Sequence, residues 1–372
     1  MPASPNPATT ASPEPTSAAR AGLRWVNDSE PGLSRLVGAS AFVWRDARGR
    51  AVRSAAVLAR LRALAVPPAW RDVWACADAD GHIQATGRDA RGRKQYRYHA
   101  LWQAERGQTK FDHLLAFAKV LPRLRARVQR LLAGAAHEAA PSRATVLAAL
   151  VRLLDTTSMR IGNEGYARDN GSFGLSTLRN RHVRIGRGTV KLSFIGKSGV
   201  RQEAALSDRR IARVVARCRD LPGQALFQYL DVDGTPRKVG SVDVNGWLAE
   251  AAGLRVTAKD FRTWHGSVLA LEITLAACAE GAEPCTAQQV LKRVASHLGN
   301  TVAVCRKAYV HPEVLALGAA LGDEAQRHGL RSSAWAAAPA VRRGLSVAER
   351  SLVGLLEQSR PRRRRRGSAA AV

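Results

Sequence analysis

The sequence predicts an α+β protein: a small N-terminal antiparallel β-rich domain, then a larger, mainly α-helical domain that contains a β-hairpin. Three observations carry this. From about residue 35 to 99 short extended runs are broken by turn signals. From about 101 onward apolar residues recur at three-to-four spacing. One segment, HVRIGRGTVKLSFIGKSGV at 182–200, interrupts that helical pattern with strand-like runs around a Gly186-Arg187-Gly188 turn.

Residues 1–25 are rich in Pro, Ala, Ser and Thr and have no apolar period, so a disordered tail is expected. Residues 26–100 form the β-rich domain, with DADG and DARGR as turns between pieces such as HIQATG and KQYRYH; Trp70 and Trp74 are assigned to its core. Residues 101–335 form the helical domain, in which FDHLLAFAKVLPRLRARVQRLLAG and ATVLAALVRLLDTTSMRIG are long amphipathic runs. Residues 336–372 are expected to be a basic, mostly disordered tail, with one short helix near 345–358 and then an arginine run.

The chain has 372 residues and is 46% hydrophobic, enough for two cores. Its net charge is +28, and removing the six arginines of residues 360–366 still leaves +22. The folded part is itself basic, which points to a polyanionic partner, nucleic acid first. The five cysteines are odd in number and never spaced as CxxC, as in reduced cytoplasmic thiols. No apolar run of about 18 residues and no signal-peptide pattern occur, so neither secretion nor membrane insertion is expected.

Several machines lack their motifs. The Gly196-Lys197-Ser198 run resembles the end of a phosphate-binding loop, but that motif requires a glycine at 191, where this chain has Lys191. No HExxH and no paired-carboxylate metal cluster appear. Neither a nucleotide cofactor nor a metal is expected. An enzyme acting on a phosphodiester is then left with a side-chain nucleophile and fixed cations that stabilise the charged transition state.

Candidates for such groups stand in unusual local settings. Arg160 lies in TTSMRIGNEGYARDNGSFGLSTLRNRHV, where Gly162, Gly165, Gly171 and Gly174 break a helical pattern and allow close approach of a phosphate backbone. Lys197 follows the hairpin, and Arg262 opens an apolar helix-like run in KDFRTWHGS. Tyr309 sits in LGNTVAVCRKAYVHP. Each has a bland alternative: a capping arginine, a loop lysine, an Arg262–Asp260 ion pair, a packed tyrosine.

The set in its order favours one reading. MRIGNEGY, GLSTLRNRHV, FIGKSGV, KDFRTW and LGNTVAVCRKAYVHP together resemble the catalytic domain of the poxvirus-like bacterial type IB DNA topoisomerases. VPPAWRDVWA and QATGRDARGRKQYRYH resemble that family's N-terminal DNA clamp, so the likeness covers roughly residues 35–330. It implies a monomer closing around double-stranded DNA, with no cofactor, working on the bacterial nucleoid. It implies Tyr309 as nucleophile, Arg160 and Arg262 on the non-bridging oxygens, and Lys197 as proton donor to the leaving 5′ oxygen. Where the poxvirus enzymes carry a histidine, nine residues before the tyrosine, this chain has Asn300, an amide that can still donate to phosphate. His297 is off that register and receives no chemistry. Val302 replaces the family's usual proline. Tyr96, Tyr98, Tyr166 and Lys259 match DNA-contacting positions, although Tyr96 and Tyr98 also fit as alternate aromatics on one strand face.

Two other readings stay open at this point. Tyrosine recombinases use the same arginines, lysine and tyrosine but typically place His where this chain has Lys259. An inactive architectural DNA-binding protein would carry the same charge, though nothing would then hold all five positions to suitable residues.

Overall fold

A computed structural model describes residues 13–38, 42–90, 92–282, 285–337 and 340–359, except the side chains of 13–16, 106–110 and 112. The chain divides into two compact units, with the boundary between Phe111 and Asp112.

The first unit holds α1 (Pro13–Arg20), β1 (Leu33–Val37), β2 (Phe42–Arg45), α2 (Ala55–Ala63), β3 (Arg71–Ala75), β4 (Ile83–Arg88) and β5 (Lys94–Tyr98). Its strands form one antiparallel sheet in the order β2-β1-β3-β4-β5. Leu33, Ala75 and Ala85 turn inward from this sheet and pack on Leu61 of α2. Trp70 and Trp74 are only half-buried, contrary to the core assignment. The indole of Trp74 donates to the Glu30 carbonyl at 2.9 Å, and the Arg97 guanidinium lies over the Trp70 ring. An indole N–H needs an acceptor when it leaves water, which favours the rim of the core.

The expected N-terminal tail is also shorter than its composition suggests. Helix α1 lies inside it, and Ala18 and Leu23 are buried against Trp102. That contact spans some eighty residues and leaves no local period to detect. Residues 1–12 lie outside the described residues.

The division between units falls within α3 (Ala100–Gly134). Then follow α4 (Arg143–Thr157), α5 (Glu164–Asn170), β6 (Val183–Gly186), β7 (Thr189–Ile195), β8 (Arg201–Ser207), α6 (Arg209–Asp220), β9 (Gln228–Leu230), β10 (Pro236–Lys238) and α7 (Ser241–Ala252). The last elements are α8 (Ala258–Ala277), α9 (Ala287–Leu298), α10 (Val302–Ala308), α11 (Pro312–Leu317), α12 (Glu324–Ser332), α13 (Ala334–Ala337) and α14 (Val347–Gln358). Helix α8 is central: Phe261 and Trp264 are fully buried and meet Phe117 of α3 edge-on, with centroids 5.1 and 5.9 Å away.

The predicted hairpin is present. Gly186 pairs with Thr189, and Arg187 and Gly188 between them both have positive φ, as a tight two-residue turn requires. A third strand, β8, extends it by pairing with β7 over seven residues. Its sequence RQEAALS has little strand propensity; pairing and the alternating burial of its side chains outweigh that.

The segment from 336 onward departs from the expected tail. Helix α14 falls where a short helix was expected, but Leu352, Val353, Leu355 and Leu356 on it are buried, so it is part of the second unit's core. The arginine run lies outside the described residues.

Candidate active site

Arg262 is 3% exposed, a buried cation on the second turn of α8. The alternative pairing with Asp260 does not occur: that carboxylate accepts from the Thr257 amide at 2.7 Å and caps the helix. Instead Arg262 donates through Nη1 to the Ser158 carbonyl and through Nη2 to the Leu298 carbonyl at 2.8 Å. These two carbonyls close the C-terminal ends of α4 and α9. Ser158 is the left-handed cap of α4, at φ 53°, and Leu298 is the last residue of α9. Helix C-termini carry partial negative charge, so they offset the burial of the guanidinium without neutralising it. Burial still pushes Arg262 below the ordinary arginine range, and Arg160 adds to this while Tyr309 opposes it.

Helix α9 ends in a Schellman turn. Gly299 has φ 58°, its amide bonds to the Ser296 carbonyl, and the Asn300 amide bonds back to the Ala295 carbonyl at 3.0 Å. The turn delivers Asn300, whose Oδ1 accepts from Arg160 Nη2. Its Nδ2, like Nε of Arg262, is buried with no acceptor among the described residues.

Arg160 follows α4 on the glycine-broken loop. Its carbonyl accepts from the Leu175 amide at 2.9 Å, and a Cβ on Gly174 would lie 2.7 Å from that oxygen and 2.5 Å from the backbone of Gly162. The two strands of the loop therefore touch only because both residues are glycine.

Tyr309 caps α10 and is half-buried. Its ring lies beneath the Arg262 guanidinium, with the carbon 5.0 Å from the ring centroid. Its carbonyl accepts from Ser267 Oγ at 3.3 Å, and a Cβ on Gly266 would stand 2.7 Å from that carbonyl. Gly266 and Ser267 of α8, which sequence reasoning passed over, admit the tyrosine one turn beyond Arg262. A glycine inside an apolar helix was the available signal.

Lys197 is exposed on the turn between β7 and β8 and makes no hydrogen bond or ion pair among the described residues. Its turn is nevertheless tied to the site. The Phe173 amide donates to the Ile195 carbonyl at 2.9 Å, joining the Arg160 loop to the end of β7. Gln202 of β8 packs against both Gly196 and Gly299, too closely for either to carry a Cβ without displacing it. The structure thus brings Arg160 onto Asn300 and sets Arg262 over Tyr309, with the two pairs linked through the Ser158 and Leu298 carbonyls two residues before Arg160 and Asn300, and with Lys197 joined through its turn. His297, given no chemistry, is exposed.

Among the described residues none of Arg160, Lys197 and Arg262 has a carboxylate partner, whereas the part-buried Arg125 has two. Two unneutralised guanidiniums close to a phenol are an arrangement that suits an anion.

The residues expected to touch DNA are exposed on their own elements. Tyr96 and Tyr98 are exposed on one face of β5 with stacked rings, centroids 5.8 Å apart. Tyr166 on α5 is 56% exposed, and Lys259 on α8 is exposed.

Comparison with known proteins identifies the family. Residues 99–319 match the family described as the catalytic core of eukaryotic DNA topoisomerase I, and residues 41–89 match the bacterial DNA topoisomerase IB N-terminal domain. The chain belongs to the type IB DNA topoisomerases. It is 32% identical over 262 residues to DNA topoisomerase 1B of Acanthamoeba polyphaga mimivirus, covering 68% of this chain and 76% of that one. It is also similar to DNA topoisomerase I of Monkeypox virus and DNA topoisomerase 1B of Vaccinia virus (strain Copenhagen), each at 23% identity over 62% of this chain and 70% of theirs. This topoisomerase is therefore an isomerase acting on DNA, and all five candidate residues fall inside the matched core. Among its described residues no helix is long and apolar enough to cross a membrane.

Proposed function

We propose that this topoisomerase relaxes supercoiled duplex DNA by cutting one strand through Tyr309 and resealing it, without ATP or a required metal. The observation that carries the reading is Arg262: a buried cation held by helix carbonyls, left without a carboxylate, and set over the Tyr309 ring.

The Tyr309 oxygen attacks the scissile phosphorus and gives its proton to solvent water; the bond from phosphorus to the 5′ oxygen breaks. A free phenol with a pKa near 10 is ionised only about once in 1000 molecules at pH 7, so adjacent guanidinium charge matters. Arg160 and Arg262 hold the non-bridging oxygens, a role worth roughly 10³ to 10⁵ in rate for a well-placed arginine, or about 4–7 kcal/mol. The unpartnered Asn300 Nδ2 adds a donor. Lys197 protonates the departing 5′ oxygen. Its exposure and lack of an ion-pair partner suit a group that meets its target when DNA is bound. The products are a 3′-phosphotyrosine and a 5′-hydroxyl end, which is free to rotate. Because the ester keeps the bond energy, attack by that hydroxyl reverses every step and restores the strand.

In this reading residues 26–100 serve as a DNA-clamp domain and 101–335, with α14, as the catalytic domain of a monomer. Tyr96, Tyr98, Tyr166 and Lys259 contact the duplex, and the protein works on the nucleoid in the cytoplasm. Aromatic rings beside lysines and arginines suit nucleic-acid contact. The test is relaxation of supercoiled plasmid in EDTA without ATP, beside Tyr309→Phe. Relaxation by the parent and none by the variant are expected; a strict need for Mg²⁺ or ATP, or activity in the variant, overturns the proposal.

A further inference from the structure

Arg125 of α3 uses all five of its N–H donors. Nε and Nη2 donate to Asp155 at 2.8 and 2.9 Å. Nη1 and Nη2 donate to Glu349 at 2.8 and 2.7 Å, and Nη1 also reaches the Gly344 carbonyl at 2.7 Å. Asp155 Oδ1 faces His265 Nε2 at 3.0 Å, and Glu349 Oε1 accepts from the Trp264 indole at 2.9 Å. One guanidinium thereby fastens α4, α8 and α14 together. Burial alone would push both carboxyls up, but hydrogen bonds from His265 and Arg125 hold Asp155 well below its usual range, and Arg125 holds Glu349 below its own. Ionised, Asp155 can only accept, so His265 Nε2 carries the proton.

This node lies directly behind the candidate site. Asp155 is three residues before Ser158, whose carbonyl holds Arg262, and five before Arg160. His265 and Trp264 are within one turn of Arg262 on α8. Arg160 and Arg262 repel one another, so α4, whose end leads into the Arg160 loop, and α8, which carries Arg262, need a restraint. Stability alone does not account for it, because a buried ion pair is often matched or bettered by apolar residues of similar volume.

We propose that Arg125 and Glu349 are positioning residues for strand cleavage: α14, from beyond Tyr309 in the chain, supplies the carboxylate that locks α4 to α8 and fixes Arg160 and Arg262 at one phosphate. The inference rests on the proposed role of Tyr309.

The test uses full-length Glu349→Gln, Arg125→Met and Arg125→Lys. Three quantities are measured well below each melting temperature: single-turnover cleavage of a duplex with saturating protein, DNA affinity, and thermal stability. Misplacing a reacting geometry by an ångström can reduce rate by about 10²-fold, so a loss of roughly tenfold or more is expected for Glu349→Gln and Arg125→Met, with affinity unchanged and partial recovery in Arg125→Lys. A lower melting temperature with an unchanged cleavage rate, or rate and affinity lost together, overturns the inference. If Arg125→Met does not fold, Glu349→Gln, which keeps an acceptor for Trp264, decides. A parent that forms no Tyr309 adduct contradicts the underlying reading instead, and shows it before any Arg125 or Glu349 variant is made.

Discussion

Asn300 illustrates how a site residue can be placed by one part of the chain and used by another. The Schellman turn after α9 fixes its backbone, Arg160 holds its Oδ1, and its Nδ2 has no acceptor among the described residues. Asn300→Ala should slow cleavage by about 10²-fold, the scale of losing one transition-state donor, with DNA affinity nearly unchanged. Single-turnover cleavage beside a binding titration checks this; an equal loss of affinity would assign the amide a structural role. Gly266 gives a second residue-scale expectation. A Cβ there stands 2.7 Å from the Tyr309 carbonyl, so Gly266→Ala should cost about 1–3 kcal/mol by overpacking and also slow cleavage, read by denaturant melts and the same rate assay. Tyr309, Arg160 and Arg262 could be picked out in the sequence because their flanking residues follow a family pattern. The carbonyls of Ser158 and Leu298 that hold Arg262 could not, since every residue has a carbonyl and only the fold selects which ones end helices.

Helix α14 and strand β8 mark the limit of local pattern. The short helix near 345–358 was readable from Ser346 and Glu349, a capping box that the structure contains, with the Ser346 amide bonded to Glu349 at 2.8 Å. That the same Glu349 also reaches Arg125 was not, because the two are 224 residues apart. Strand β8 has weak propensity and exists through its pairing with β7. The carboxylates of the α3–α4–α14 junction give this level its own prediction. Asp155 and Glu349 are both held below their ordinary values, so their stabilisation is fully present above the unfolded carboxylate range, near pH 4. It is lost as pH falls below that range. Stability against urea should therefore decline from about pH 4 downward, and Asp155→Asn should be less stable at neutral pH with a flatter acid limb. A parallel pH dependence in parent and variant would contradict this.

At the scale of the whole chain, the charge of +28 and the family assignment describe one property: a protein whose ligand is a polyanion. The composition made the partner class readable, while the division of the fold inside α3, rather than at its start, depended on long-range packing that composition does not record. Replacing the six arginines of 360–366 by glutamine should weaken DNA binding at low salt and reduce the slope of log affinity against log salt by about 0.9 for each phosphate that is no longer neutralised, leaving cleavage of bound DNA unchanged. Affinity titrations over a salt series would show it; a changed cleavage rate would mean that the tail reaches the chemistry. The central claim, that Tyr309 takes the 3′ phosphate of a cut strand, is tested most directly by trapping. A duplex whose 5′ product diffuses away is incubated with the protein in EDTA, the mixture is denatured, and the DNA-linked peptide is sequenced. A covalent adduct on Tyr309 carrying the 3′ end, with a free 5′-hydroxyl on the released strand, is predicted; no adduct, an adduct on another residue, or linkage to the 5′ end would contradict it.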